Sequence, residues 1–267
     1  MQQKRSNNIL SFEGKSRRGQ ATTFIVLGLV IVAVVVLLSY ARSQFLFGPV
    51  SIDKLNQVGL EPISDHIEEC VDDIAPEYFE RIGLQGGYLS TPEDTFRNVG
   101  GVSVSYLCYN MENVPVCYNR YLTLSEMELQ LSQAIKQGLS SCINVNKGFA
   151  RGATLTKGNI DVEVDIGDYQ SIVSVIMPIK IQKGDLSVEE NDFSTTLKVP
   201  LGALYTVSRD IIELETTIGE FDQLAYMLLH KGQFVIDKKR PYTDKLYISK
   251  IKDDDYIFQF FVQGEPA

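Results

Sequence analysis

The chain has 267 residues, with 25 Lys and Arg against 34 Asp and Glu for a net charge of −9, and 44% of its residues are hydrophobic. That mixture, with 13 Tyr and 13 Phe, belongs to a folded globular protein and excludes a low-complexity stalk. Residues 1–19 hold Lys4, Arg5, Lys15, Arg17 and Arg18 against Glu13, a net of +4, so the remainder carries −13. An acidic body excludes the basic surface that a nucleic-acid partner demands, and argues against an anionic membrane surface as a partner.

After the basic leader 1–19 comes a stem, 20–46, in which Ala21 to Tyr40 form twenty consecutive residues without a charge. At helical rise they cross roughly 30 Å of hydrocarbon. The polar residues inside are Thr22, Thr23 and Ser39, whose hydroxyls can bond back to the helix backbone. Five cations precede the run, whereas Arg42 and Lys54 follow it, so the N-terminus is expected in the cytoplasm and the rest outside it. The lipid bilayer is thus the expected partner of residues 21–40. A cleavable secretory signal has an apolar region of only about 7–15 residues before a small-residue site, which "YARSQFLFGP" does not offer.

The motif "SRRGQ" directly before the stem resembles the class III signal of archaeal type IV pilin-like proteins. That resemblance implies cleavage between Gly19 and Gln20, with the stem held in the membrane until it enters a filament core. One departure is Phe24, which stands where many pilins carry a glutamate five residues into the mature chain. The same leader also reads as plain positive-inside charge with a chance glycine. Gly48-Pro49 should break the stem helix soon after the membrane, which favours an anchor or a minor pilin-like component over a major filament subunit.

Residues 47–150 read as a helical and hairpin subdomain holding all four cysteines, Cys70, Cys108, Cys117 and Cys142. They lie on the exported side, where disulfides are permitted. Four cysteines allow three pairings. Cys108 and Cys117 flank "YNMENVPV", a turn-like insert that suits a hairpin bridge, and Cys70 and Cys142 would then join two helices. His66 stands four residues before Cys70 on one helix face, but zinc needs a second close ligand pair and the sequence has no C-x-x-C. Ile63, Ile67, Cys70, Val71 and Ile74 predict an amphipathic helix with Ser64 as its cap, Pro76 as a bend or restart, and Gly83, Gly86 and Gly87 as its end. "VSVSYLCY" and "PVCYNRYL" alternate as strands. A capping box at Ser125 and Glu128 then opens a second amphipathic helix bearing Leu124, Met127, Leu131, Ile135, Leu139 and Cys142.

Residues 151–267 read as a β-rich subdomain: "NIDVEVDI", "SIVSVIMPIKIQ" and "FSTTLKV", then a long helix over about 200–230, then "QFVID", "KLYISKI" and "YIFQFFV". In the first of these Asp161, Glu163 and Asp165 share one face and Val162, Val164 and Ile166 the other. The three carboxylates are better explained as a solvated face than as a calcium site, which draws its ligands from a tight loop. The long helix carries Leu201, Leu204, Val207, Ile211, Ile218, Phe221, Leu224 and Leu228 near a period of 3.6, with His230 as a charge complement at its end. Asp253 to Asp255 mark a hairpin turn. The expected fold class is α+β: an N-terminal transmembrane helix, then amphipathic helices and a mostly antiparallel sheet covered by a long helix.

In order, "GQATTFIVLGLVIV", "IEECV", "IGLQGGYLSTP", "GLSSCI" and "VIMPIKIQKGDLSVEENDF" resemble a group of uncharacterised membrane-anchored surface proteins of DPANN-type archaea. Cys70 and Cys142 match the recurring cysteines of that group, while Cys108 and Cys117 are an addition of this sequence. The resemblance brings no activity, cofactor or site residue with it. No H-E-x-x-H, G-x-S-x-G, P-loop or dinucleotide fingerprint occurs, the histidines are only His66 and His230, and Lys180 on a strand reads as a surface lysine. No catalytic residue, metal or cofactor is assigned. The expectation is a single-pass cell-surface protein acting by structural contact or adhesion, with other envelope proteins or like subunits as candidate partners. The competing class is an anchored carbohydrate- or peptide-directed envelope hydrolase.

Overall fold

The computed structural model describes residues 28, 30–32, 34, 61–110, 117–143, 154–241 and 243–263. The leader, the candidate processing site at Gly19 and Gln20, the linker and most of the apolar run lie outside them. The described members of that run, Gly28, Val30, Ile31, Val32 and Val34, are helical. Among the described residues no helix is long and apolar enough to cross a membrane. The chain divides into two units, Met1–Lys54 and Leu55–Ala267. The second is α+β, with one mixed sheet, one antiparallel sheet and four helices among its described residues.

Helix α1 (Glu61–Leu84) exists because Ile63, Ile67, Cys70, Val71, Ala75, Phe79 and Ile82 recur on one stripe and are all buried. Ser64 lies within the helix rather than capping it, since the helix already includes Pro62, a residue suited to a first turn that needs no N–H partner. Pro76 neither ends nor restarts it. Pro76 is exposed, so the bond it cannot donate is lost on the solvent side while Ala75 and Phe79 hold the buried side. The helix closes where Gly87, at φ 90°, donates to the Ile82 carbonyl at 2.7 Å.

Helix α2 (Leu124–Cys142) buries Met127, Leu131, Ile135 and Leu139. Its capping box is Thr123 with Glu126, two residues earlier than the Ser125 and Glu128 pair expected: the Glu126 carboxylate accepts from Thr123 N at 2.7 Å. Both pairs satisfy the same spacing in "TLSEME". Glu128 is used otherwise, accepting from Ile166 N at 3.1 Å and so tying α2 to the sheet below it. Helices α1 and α2 lie close enough at Gly138 that an added Cβ would meet Ile74 Cγ2 at 2.8 Å. The Cys70–Cys142 disulfide joins the same pair of helices.

The first sheet runs β1 (Phe96–Val99), β2 (Val102–Tyr109), β10 (Phe258–Val262), β9 (Lys245–Ile251), β8 (Phe234–Lys239), with the short β3 (Tyr118–Asn119) also on β2. It is mixed because β10 pairs parallel to β2 while its other pairs are antiparallel. The Cys108–Cys117 disulfide closes the β2–β3 connection. Strand β10 is buried on both faces, with Phe258, Phe260 and Val262 in the main core and Phe261 in a smaller cluster with Val104, Tyr106 and Leu246.

The second sheet is antiparallel. Its long strand β6 (Ser171–Lys183) pairs β7 (Leu186–Leu197) along its length, β5 (Asp161–Ile166) with its first half and β4 (Thr154–Lys157) with its second. The β6–β7 register shifts between Ile176 and Ile179, where Pro178 has no N–H to give to a ladder. Strand β7 starts well before "FSTTLKV", because its first half, rich in Glu and Asp, is an exposed strand held by backbone pairing rather than by an apolar face.

The expected long helix is two: α3 (Leu201–Thr217) and α4 (Gln223–Leu229). Helix α3 lies on β10, β9 and β2, and α4 on β8. Helix α1 meets β7 of the second sheet and both β10 and β2 of the first, and one continuous apolar core runs through all of these elements.

The two crosslinks should differ in worth. Cys70 and Cys142 are 72 residues apart, Cys108 and Cys117 only 9. Chain-entropy arithmetic then gives about 4 kcal/mol for the first and about 2.5 kcal/mol for the second. In urea unfolding of the oxidised protein, the double variant C70A/C142A is expected to lose more stability than C108A/C117A by roughly that difference.

Candidate interaction surface

The break between α3 and α4 sets up the most distinctive surface among the described residues. Thr216 and Thr217 hydroxyls bond back to the Ile212 and Glu213 carbonyls, and Gly219, at φ 81°, donates to the Glu215 carbonyl at 3.1 Å. Asp222 then caps α4, its Oδ1 accepting from Leu224 N and Ala225 N at 3.0 Å each. Gly219 and Asp222 were readable as a stop and a start, but the apolar period running through them hid the signal.

An ionic cluster pins this elbow to the sheet. Glu215, nearly fully buried, receives the Tyr247 hydroxyl and Phe221 N (3.1 Å) on one oxygen and Lys245 Nζ (2.6 Å) on the other. Lys245 also donates to the Gly219 carbonyl at 2.7 Å and to Glu220 at 3.1 Å. Lys238 Nζ donates to Glu220 at 2.5 Å and to the Phe221 carbonyl at 2.7 Å, and Arg240 reaches the same Glu220 oxygen at 2.8 Å. Two lysines from β8 and β9 thus satisfy the Gly219 and Phe221 carbonyls of the loop between α3 and α4. The bond from Lys238, then the neighbouring Lys245, hold the Glu220 carboxyl down at about 2. Burial, then the bond to Glu215, push the Tyr247 phenol upward.

The elbow redirects the apolar series. Phe221 is buried against Tyr247 and Tyr226. Leu224, Leu228 and Leu229, which follow it, are 63%, 80% and 82% exposed, and α4 buries none of its residues. This corrects the expectation that Leu224 and Leu228 extend a buried stripe. Leu224, Met227, Leu228, Lys231 and Gly232 line an open groove of ≈ 450 Å³. Under the helix, Tyr226 donates to Asp210 at 2.9 Å and stacks on His230 at 4.1 Å. His230 Nδ1 lies 2.9 Å from the Tyr226 carbonyl, which can only accept, so that nitrogen carries a proton. Met227 faces the outer edge of β8: Ile236 N donates to its sulfur at 3.3 Å. His230 therefore caps a short helix and holds Tyr226, rather than ending a long one.

The residues singled out from sequence do not converge elsewhere. His66 Nε2 is 3.9 Å from Cys70 Sγ, and Cys70 is committed to its disulfide. Among the described residues no three His, Cys, Asp or Glu side chains are grouped to hold a metal. Asp161 pairs with Lys136 at 3.0 Å, and Asp161, Glu163 and Asp165 all face solvent, opposite the buried Val162, Val164 and Ile166. Lys180 is exposed on β6, with Glu189 opposite it on β7 and Thr156 opposite it on β4. A shallow cleft of ≈ 250 Å³ is lined by Glu77, Glu80, Arg81 and Gln85, and there Glu77 is bonded by Arg81 at 2.6 Å. A second buried polar group, absent from the sequence reading, joins Tyr106, Arg97 and Asp244: the Tyr106 hydroxyl and Arg97 Nη1 both reach Asp244 Oδ2, at 2.6 and 2.9 Å. Comparison with protein-family models, curated proteins and solved structures finds no match to this chain.

Removing the charge at the centre of the cluster, Glu215→Gln, leaves Lys245 only 13% exposed beside a neutral partner, and is expected to cost about 2–3 kcal/mol in urea unfolding. Arg240→Ala, at an exposed position, should cost under about 1 kcal/mol. Glu220 is depressed on folding, so the stability it contributes is present above its ordinary value near 4.5 and lost as pH falls toward about 2. Stability measured across that window should fall less steeply in Glu220→Gln than in the unaltered protein.

Proposed function

We infer that this is a single-pass membrane-anchored cell-surface protein whose exported α+β unit acts by contact. The observation that carries the reading is the placement of its disulfides. Both closed pairs, Cys70–Cys142 and Cys108–Cys117, lie in the part of the chain that positive-inside charge assigns to the outside of the membrane. Disulfides of this kind persist where the surroundings are oxidising, and are consistent with an extracellular unit.

The twenty uncharged residues from Ala21 to Tyr40 have the length and composition of a membrane anchor. The mode of action is supported by what the unit exposes. Three leucines stand in solvent on one short helix, and apolar clusters of that sort mark places where a protein meets another surface. Like subunits or other envelope proteins fit the contact reading, and the resemblance of "SRRGQ" to a class III signal makes pilin-like processing part of it.

Intact mass of the chain recovered from native membranes tests this directly. A mature chain beginning at Gln20 is the expected result for pilin-like processing, and retention of residues 1–19 is the result for a plain anchor. Recovery of the protein in a salt-washed soluble fraction, with its thiols free before reduction, would overturn the reading.

A further inference from the structure

We propose that α4 is a foot on which the folded unit rests on its own bilayer, with Leu224, Leu228 and Leu229 entering the boundary between head groups and acyl chains. This rests on the membrane-anchored reading above. The proposal starts from the side chains. The three leucines are the most exposed part of a seven-residue helix that buries nothing, and the groove beside them is lined by Leu224, Met227, Leu228, Gly232 and the lone cation Lys231. An interface with another protein draws its register from aromatic and Arg anchors and from polar partners around them. Aliphatic side chains fringed by one lysine match the acyl boundary instead, where the lysine stem can lie along apolar material with its ammonium among head groups.

Chain length supplies the second argument. Residues 41–60 join the apolar run to α1, and twenty residues reach at most about 70 Å. A unit of this size has a radius of gyration of about 17 Å, so length alone singles out no face, and anchoring keeps the local lipid concentration high. The face that settles there is then chosen by surface chemistry. The exported part carries a net charge of −13, and α4 is where large aliphatic groups stand out of it together. Because the attraction is apolar, it needs no anionic lipid.

The sequence contains no tryptophan, so a single introduced indole is an unambiguous reporter. Three variants of the full chain would be reconstituted in phosphatidylcholine vesicles with and without phosphatidylcholine brominated on its acyl chains. They are Leu228→Trp in the foot, Tyr118→Trp on β3 at the far side of the first sheet from β8, and Val30→Trp in the apolar run. Leu228 and Tyr118 are 80% and 57% exposed, so neither change disturbs the core. The expected result is blue-shifted emission from Trp introduced at 228 that loses most of its intensity to the brominated lipid, with solvent-like, unquenched emission from the substitution at 118. If Val30→Trp is quenched and Leu228→Trp is not, the foot is wrong and the anchor stands. A blue shift at 228 without quenching by brominated lipid means that a second copy covers the leucines, which also overturns the proposal. If Val30→Trp itself is unquenched, the anchored reading fails and the foot with it.

Discussion

Both sheets of the folded unit rest on one helix. Helix α1 meets β7 of one sheet and β10 with β2 of the other, and its buried stripe from Ile63 to Ile82, continuous across Pro76, carries one core through both. The Cys70–Cys142 bond acts on the same element, holding α2 against α1 and, through Glu128 and Ile166, α2 against β5. Loss of order in α1 would therefore remove the shared wall of the core rather than one local contact. It is also why the longer crosslink matters more than its single covalent bond suggests.

At the turn that follows α3, apolar packing gives way to charge. The elbow between α3 and α4 has few large side chains to bury besides Phe221, and its position comes from Glu215, Glu220, Lys238 and Lys245. Buried ionic groups of this kind add little net stability compared with apolar packing, but they penalise every other arrangement, because a displaced Glu215 would leave Lys245 nearly buried beside nothing negative but Glu220. The cluster thus specifies a direction for the chain. What it specifies is that Leu224, Leu228 and Leu229 leave the core.

Much of this fold was legible in the residues. Alternation in "DVEVDI" named the buried and exposed faces of β5 correctly, and the period of Met127, Leu131, Ile135 and Leu139 gave the buried face of α2. Other features had no local signature. The parallel pairing of β10 with β2 joins segments more than a hundred residues apart, and periodicity within either strand carries no information about its neighbour. The polar first half of β7 is a strand because β6 offers it a ladder, not because its own side chains alternate. Continuity of the apolar period concealed the helix break, and Glu215 sat inside that period as an ordinary helix residue although its partners lie on β9. The exposed leucines followed from those two misses, since their place outside the core depends on a turn that long-range charge holds.

The bond from Ile236 N to the Met227 sulfur has a further consequence. Strand β8 is the last in its sheet, and an outermost strand is a standing template on which another extended chain can add itself. A thioether is among the weakest acceptors a protein can offer, so α4 covers this edge chiefly by standing in the way. Monomer solubility and the placement of the leucines are therefore secured by the same few residues. A chain that lost its elbow would release α4 and uncover a sheet margin in one event, so self-association by strand addition would accompany the loss of α4 well before the core came apart.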